Sequence, residues 1–101
     1  MKKLSEMTGE KVIVRCVQSG MFYGTILDRQ GTEILLKNSR WLWYWKGAIS
    51  ACALATEGTT DPASCKFTAV VNQRVLLDAK DIIICTEQGS NNIESVPVWV
   101  Q

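Results

Sequence analysis

The sequence contains no histidine, the side chain on which most proton-transfer and zinc chemistry in proteins depends. Its four cysteines stand alone, with no Cys-x-x-Cys pair, and they are Cys16, Cys52, Cys65 and Cys85. Structural zinc sites usually take their ligands in close pairs, so we expect no metal site and no cofactor. We predict four free thiols with a structural role, most of them buried.

Long apolar runs and a strong charge imbalance are also missing. No run approaches the ~18 residues that a membrane-spanning helix needs, and residues 1–6 lead into no hydrophobic signal region. Eleven basic and ten acidic residues give a net charge of +1, so no global field draws the protein to nucleic acid or to an anionic membrane. We therefore expect a protein of the cytoplasm, with no membrane partner and without nucleic acid as its ligand.

Motifs of the common enzyme classes are absent as well. The chain has no Cys–His pairing and no glycine-rich phosphate loop. Asp78 and Asp81 lie three residues apart, but two exposed turn carboxylates explain this spacing better than a catalytic pair. The sequence therefore predicts a protein that is not an enzyme.

What is present suits one small domain. The chain has 101 residues, 47% of them hydrophobic, and we expect a lead-in at residues 1–10 and a single globular domain at 11–101. β-branched runs bounded by turn residues predict short strands over residues 11–17, 21–29, 33–36, 40–47, 66–71, 75–77 and 81–85. Gly24 lies inside the second run and predicts a bulge or bend, and residues 37–39 predict a break.

Small, helix-favouring residues over 48–57 predict one short helix, capped by Ser50 and ended by Gly58. Residues 86–95 fit either a second short helix or a turn, and Trp99 is expected to anchor the apolar tail. The fold class is thus α+β and mostly β: a curled antiparallel sheet with one short packed helix. The spacing of Gly20, Gly24 and Gly31 resembles that of small Sm-like or SH3-like barrels.

Residues 37–47 hold three of the four tryptophans. Strand alternation would place Trp41, Trp43 and Trp45 on one face and Arg40, Leu42, Tyr44 and Lys46 on the other. We expect the tryptophan face to be buried in the core or in an interface. The opposite face is the candidate for contact with a ligand or partner, unless Arg40 and Lys46 merely border the core.

Aromatic rings beside cationic groups are what a nucleotide ligand requires, since bases stack on rings and phosphates accept charge-assisted hydrogen bonds. The candidate ligand-binding residues are Arg40, Trp43, Tyr44, Trp45 and Lys46, with Arg15, Lys66 and Thr86 as possible neighbours.

Several motifs, taken together, carry a resemblance: Arg15–Cys16, the segments 20–24, 40–48, 62–67 and 82–87, and Val96–Trp99. Over residues 11 to 99 the chain resembles a family of small, functionally unassigned proteins of phages and prophages. The resemblance implies a phage-derived accessory protein acting in a bacterial cytoplasm. Small phage proteins of this kind often counter host defence.

Two functions remain open at the level of the sequence. The first is a non-enzymatic binding protein that sequesters a small anionic ligand, for example a nucleotide immune signal. The alternative is an interaction module that blocks a host or phage protein through its aromatic surface. The tryptophan and small-residue content of so short a chain also predicts a homo-oligomer.

Overall fold

The computed structural model describes residues 6–100 and contains six strands, two α-helices and a 3₁₀ turn between α1 and β4. Their bounds are β1 Lys11–Cys16, β2 Met21–Gln30, β3 Glu33–Tyr44, α1 Ala51–Thr56, the 3₁₀ turn Pro62–Ser64, β4 Lys66–Phe67, β5 Val71–Leu76, β6 Ala79–Ile84 and α2 Glu87–Ser95. The predicted class, a mostly β fold with an antiparallel sheet, is confirmed. The helix predicted over 48–57 is present as α1, and residues 86–95, which fitted either a helix or a turn, form α2.

The sheet has the order β4-β3-β2-β1-β6, and β5 pairs with β3 beside β4. The long strand β3 therefore has β2 along one side and two short partners along the other, β5 on its first half and β4 near its end. Only Leu77 and Asp78 separate β5 from β6, although these strands belong to opposite ends of the sheet. So short a connection forces the sheet to curl back on itself, and it stays open because β5 and β6 do not pair in the described residues.

The break predicted at residues 37–39 is wrong, because β3 runs through them without interruption. Tyr23 pairs with Arg40 and Thr25 with Lys37, so β3 has one residue more than β2 over this stretch. Asn38 lies inside the stretch at a φ of 52°, a left-handed conformation that asparagine tolerates. The irregularity predicted at Gly24 is thus confirmed, and the extra residue is taken up by β3.

Both faces of the sheet are covered by apolar side chains. One cluster joins the sheet to the helices and is formed by Ile13, Tyr23, Leu42, Leu54, Ala55, Cys65, Phe67, Ile93 and Val96. The other consists of strand residues and Met7, as expected inside a curled sheet, and holds Met7, Val12, Val14, Phe22, Ile26, Ile34, Leu36 and Leu76. The predicted lead-in lies partly outside the described residues, and its Met7 belongs to this second cluster.

The two helices are short and depend on each other. The α1 helix covers Ala51–Thr56, less than the predicted span, and its expected cap is confirmed because the Ser50 hydroxyl accepts a hydrogen bond from Ala53 N at 3.1 Å. In α2 the hydroxyl of Thr86 accepts from Gly89 N at 3.0 Å. A Cβ added to Gly89 would lie 1.9 Å from the carbonyl oxygen of Ala55 in α1, so the helices touch backbone to backbone.

This contact predicts that Gly89→Ala destabilises the protein by about 2 kcal/mol or more, because the methyl group overpacks the helix crossing. Helix propensity alone predicts the opposite sign, a gain of about 1 kcal/mol. Urea unfolding followed by circular dichroism decides between the two. Asn91→Ala, at an exposed position of the same helix, is the matched control, and equal stability of both variants would contradict the packing.

All four cysteines are free thiols, as expected, but their environments differ. Cys65 is buried, Cys16 and Cys85 are half-buried, and Cys52 is exposed on α1, although a buried position was expected. Burial raises the pKa of Cys85 to about 11. Burial, followed by the negative charge and hydrogen bond of Asp78, raises the pKa of Cys16 to about 11 as well.

We therefore expect one fast thiol at pH 7.5, that of Cys52, since Cys16 and Cys85 stay protonated there and Cys65 is inaccessible. Titration with a chromogenic disulfide should give one rapid equivalent and three more after unfolding. Cys52→Ser should remove the rapid phase. Two or more rapid equivalents in the folded parent would contradict this assignment.

Candidate aromatic surface

Three segments meet at the end of β3 and form a surface that consists of Trp43, Tyr44, Lys66 and Trp99, called here the aromatic surface. Trp43 and Trp99 stack with centroids 4.9 Å apart and planes 5° from parallel. The ammonium of Lys66 lies 5.0 Å from the ring centroid of Trp43, 5.5 Å from that of Trp99 and 5.7 Å from that of Tyr44. One cation thus holds three rings together, since the ring faces attract it electrostatically.

Backbone contacts position the tail that supplies Trp99. Trp99 N donates to Phe67 O at 2.9 Å, and Val98 forms an isolated parallel bridge with Phe67. The predicted anchoring role of Trp99 is confirmed. On the other side, Lys66 of β4 is the register partner of Tyr44 in β3. Backbone pairing therefore contributes to the position of the surface, together with the side-chain contacts.

The aromatic rings are accessible. Trp43 is 47% exposed and Tyr44 42%, while Trp41 and Trp45 are half-buried. Trp41 meets Trp43 edge to face, with centroids 6.4 Å apart. Core burial of the tryptophan face is wrong for Trp43 and only partial for Trp41 and Trp45, whereas Leu42 and Arg40 on the opposite face are buried. The reason is that α2 and Val96 pack on the face of Arg40 and Leu42. The strand β4 extends the sheet beside β3, and Trp99 of the tail stacks on Trp43 of the other face.

Arg40 is only 2% exposed and uses its guanidinium to join separate segments. Its Nε donates to Thr68 O at 2.9 Å, and its Nη1 donates to Ile93 O at 2.8 Å and to Val96 O at 2.9 Å. Its Nη2 donates to Phe67 O at 3.3 Å, and the group lies 5.6 Å from the Phe67 ring centroid. Burial lowers the pKa of Arg40. These donors are directed at backbone carbonyls, so Arg40 acts as an internal brace.

The other candidate residues lie apart from one another. Arg15 forms an ion pair with Asp81 across β1 and β6, with Nη2 and Oδ2 2.5 Å apart. Thr86 caps α2, and Trp45 packs against the first core cluster. Lys46 is exposed just after β3. Of the eight residues proposed from sequence, the structure brings Trp43, Tyr44 and Lys66 together and adds Trp99, which sequence reasoning had treated only as a tail anchor.

A polar cleft of about 340 Å³ lies on the face that α2 covers, lined by Lys11, Tyr23, Thr25, Asn38, Arg40, Val70 and Glu94. Its charged groups are already paired. The carboxylate of Glu94 accepts a hydrogen bond from the Tyr23 hydroxyl and lies 2.8 Å from the ammonium of Lys11. Burial raises the pKa of Glu94, but the hydrogen bonds from Lys11 and Tyr23 outweigh it and the net pKa is lowered.

No group of three or more Cys, Asp or Glu side chains within residues 6–100 is arranged to hold a metal ion. Over the same residues, no helix has the length and apolarity to cross a membrane.

Fold and surface together define a small, mostly β domain with a preassembled patch of aromatic rings around a lysine. The chain belongs to the family described as a domain of unknown function (DUF6948), whose sequence model matches residues 9–93. The match covers β1 to α2 apart from the last two residues of α2, and Trp99 lies beyond it. No curated protein and no solved structure matches the chain.

The brace formed by Arg40 predicts that Arg40→Met lowers the free energy of unfolding by about 3 kcal/mol, because several carbonyls lose their donor inside the protein. Arg40→Lys should recover only part of this, since an ammonium cannot span the same acceptors. Chemical unfolding measures both. The exposed Lys37→Met on the same strand is the control, and an Arg40→Met protein as stable as that control would contradict the brace.

Proposed function

We propose that this protein is a non-enzymatic binding protein that docks on a protein partner through its aromatic surface. The observation that supports this most strongly is the exposure of Trp43 and Tyr44, 47% and 42%, in rings already held in place by Lys66 and Trp99. Large exposed aromatic side chains are costly to leave in water and are typical anchors of protein interfaces. Rings fixed before binding lose little conformational entropy when the partner arrives.

The same geometry makes the aromatic surface a poorer site for a nucleotide. Trp99 stacks on one face of Trp43 and Trp41 contacts the same ring, so a base cannot stack on the face that Trp99 covers. The two arginines expected to hold phosphate are engaged elsewhere, Arg40 with carbonyls and Arg15 with Asp81. Of the four cationic candidates, Lys66 alone contacts the rings of the aromatic surface.

The charges indicate what the partner offers. Lys66 lies among the rings, Lys46 follows them in the chain, and the aromatic surface itself contains no carboxylate. A complementary partner therefore presents an apolar pocket for Trp43 or Tyr44 with an acidic side chain beside it. The resemblance to phage proteins would make a bacterial host protein that partner, blocked by the contact.

Sequestration of a small anionic ligand, such as a nucleotide signal, is the second candidate. It is favoured by the position of the Lys66 ammonium, 5.7 Å from the centroid of the exposed Tyr44 ring. A phosphate on Lys66 would then lie beside a ring on which a base can stack.

Partner capture from bacterial lysate, followed by calorimetry with the purified partner, tests the leading proposal. Trp43→Ala should weaken partner binding more than 10-fold, because truncating a central aromatic anchor typically costs about 2 kcal/mol. Lys66→Ala should weaken it less and should reduce its salt dependence.

Val17→Ala changes an exposed apolar residue outside the aromatic surface and is the matched control. Circular dichroism confirms the fold of each variant. Partner affinity that is unchanged by Trp43→Ala and Tyr44→Ala would refute docking through this surface. Binding of a mono-, di- or cyclic nucleotide that depends on Lys66 would support the second candidate instead.

A further inference from the structure

The strand β5 has an unprotected edge. In the described residues β5 pairs only with β3, so the N–H and C=O groups on its other side have no strand partner. Soluble proteins usually protect such edges with lysine, proline or a bulge, because an open edge invites pairing with another chain. The segment Val71–Leu76 contains neither lysine nor proline, and its pairing with β3 includes Val71, Gln73, Arg74, Val75 and Leu76.

The exposed side chains on this strand carry no charge, and two of them are apolar. Val71 is 40% exposed and Val75 58%, with the exposed Gln73 between them on the same face. The only charged residue, Arg74, is turned inward: its Nε donates to Ser39 Oγ at 2.9 Å and its guanidinium lies 4.7 Å from the Phe22 ring centroid. An edge without outward charge can meet a copy of itself without electrostatic repulsion.

The other end of the sheet is different. The strand β6 pairs with β1 alone, but it carries Lys80 and Asp81, and Asp81 forms an ion pair with Arg15. Charged groups on an edge strand disfavour pairing with further strands. The short strand β4 also has one strand partner, but its Phe67 is bridged by Val98 of the tail. Of these outer strands, β5 is therefore the one suited to contact another chain.

The order of residues in β5 points to the partner. On one face of β5 the residues are Val71, Gln73 and Val75, so the residue types are symmetric about Gln73. In an antiparallel pair centred on Gln73, each Val71 would lie opposite Val75 of the second strand, and the two glutamines would face each other. Asn72 would lie opposite Arg74, so no like charges meet. A two-fold axis needs such a self-complementary pattern.

We propose that two copies of this chain pair antiparallel through their β5 edges, with a two-fold axis at Gln73, to form a continuous sheet across a homodimer. The β5 strand that makes this contact lies beside the first half of β3. The aromatic surface is separate from it, at the end of β3 beside β4. The sequence predicted a homo-oligomer from its tryptophans, and the strand edge supplies a different, specific contact.

Site-directed cross-linking tests the register. In a Cys52→Ser background, which removes the exposed native thiol, Gln73→Cys should form a disulfide-linked dimer on mild oxidation. Opposite Cα atoms in an antiparallel pair are about 4.5–5.5 Å apart, within disulfide range. Asn72→Cys is the matched control, because the two copies of that position are displaced by two residues in register, beyond about 7 Å. Equal cross-linking at both positions, or none at Gln73→Cys, would overturn the proposal.

Introducing charges at the β5 edge gives an independent test, with the molar mass measured by light scattering. The parent should show twice the chain mass, and Val75→Lys should reduce it to one chain mass by placing a cation opposite Val71. Val71→Glu combined with Val75→Lys should restore the dimer, since each glutamate then faces a lysine of the other copy. Val17→Lys, at an exposed site away from β5, should remain dimeric. A monomeric parent at high micromolar concentration, or a double variant no more dimeric than Val75→Lys, would overturn the proposal.

Discussion

The buried guanidinium of Arg40 is the interaction on which the rest of the structure depends. It extends from the middle of β3 and donates to carbonyl oxygens of β4, of α2 and of the tail that follows α2. Neither β4, with two residues, nor the tail, with one isolated bridge, has enough pairing of its own to hold its position. Lys66 belongs to β4 and Trp99 to the tail. The Arg40 guanidinium therefore helps to position both of these residues of the aromatic surface.

The interior around this charge is also tightly packed. The backbones of α1 and α2 touch at Gly89, and Asn92 of α2 donates to Thr59 O at 3.0 Å and accepts from Thr59 N at 2.8 Å. Short helices of this kind are not stable alone and gain their stability from such contacts. The aromatic surface thus lies on a rigid support, which is the property that an interaction surface requires.

Much of the fold could be predicted from local sequence, because strands, turns and the Ser50 cap depend on neighbouring residues. The first two strands and β6 lie close to their predicted bounds, whereas the predicted strand 66–71 is split into β4 and the start of β5. Asn38 misled the prediction, since a left-handed residue normally ends a strand and here forms a bulge within one. The burial of Arg40 depends on carbonyls from residues 67–96, and no local pattern reveals such distant partners. Alternation separated Trp41 from its neighbours Arg40 and Leu42, but it failed at the end of the stretch. Trp45 lies beyond β3 and packs against the core cluster of Leu42, and Lys66 contacts both Trp43 and Tyr44.

Arg40 and the strand pairing hold the Lys66 ammonium among three aromatic rings before any partner binds. The most direct test is the proton chemical shift of the Lys66 ε-methylene group in the free protein, measured by NMR with Lys66→Arg used for assignment. Ring currents from Trp43, Tyr44 and Trp99 should displace this resonance from the position shared by the exposed lysines, and Trp99→Leu should shift it back in part. A Lys66 resonance that coincides with those of the exposed lysines would mean that the rings and the cation are not assembled before binding, and would contradict the account.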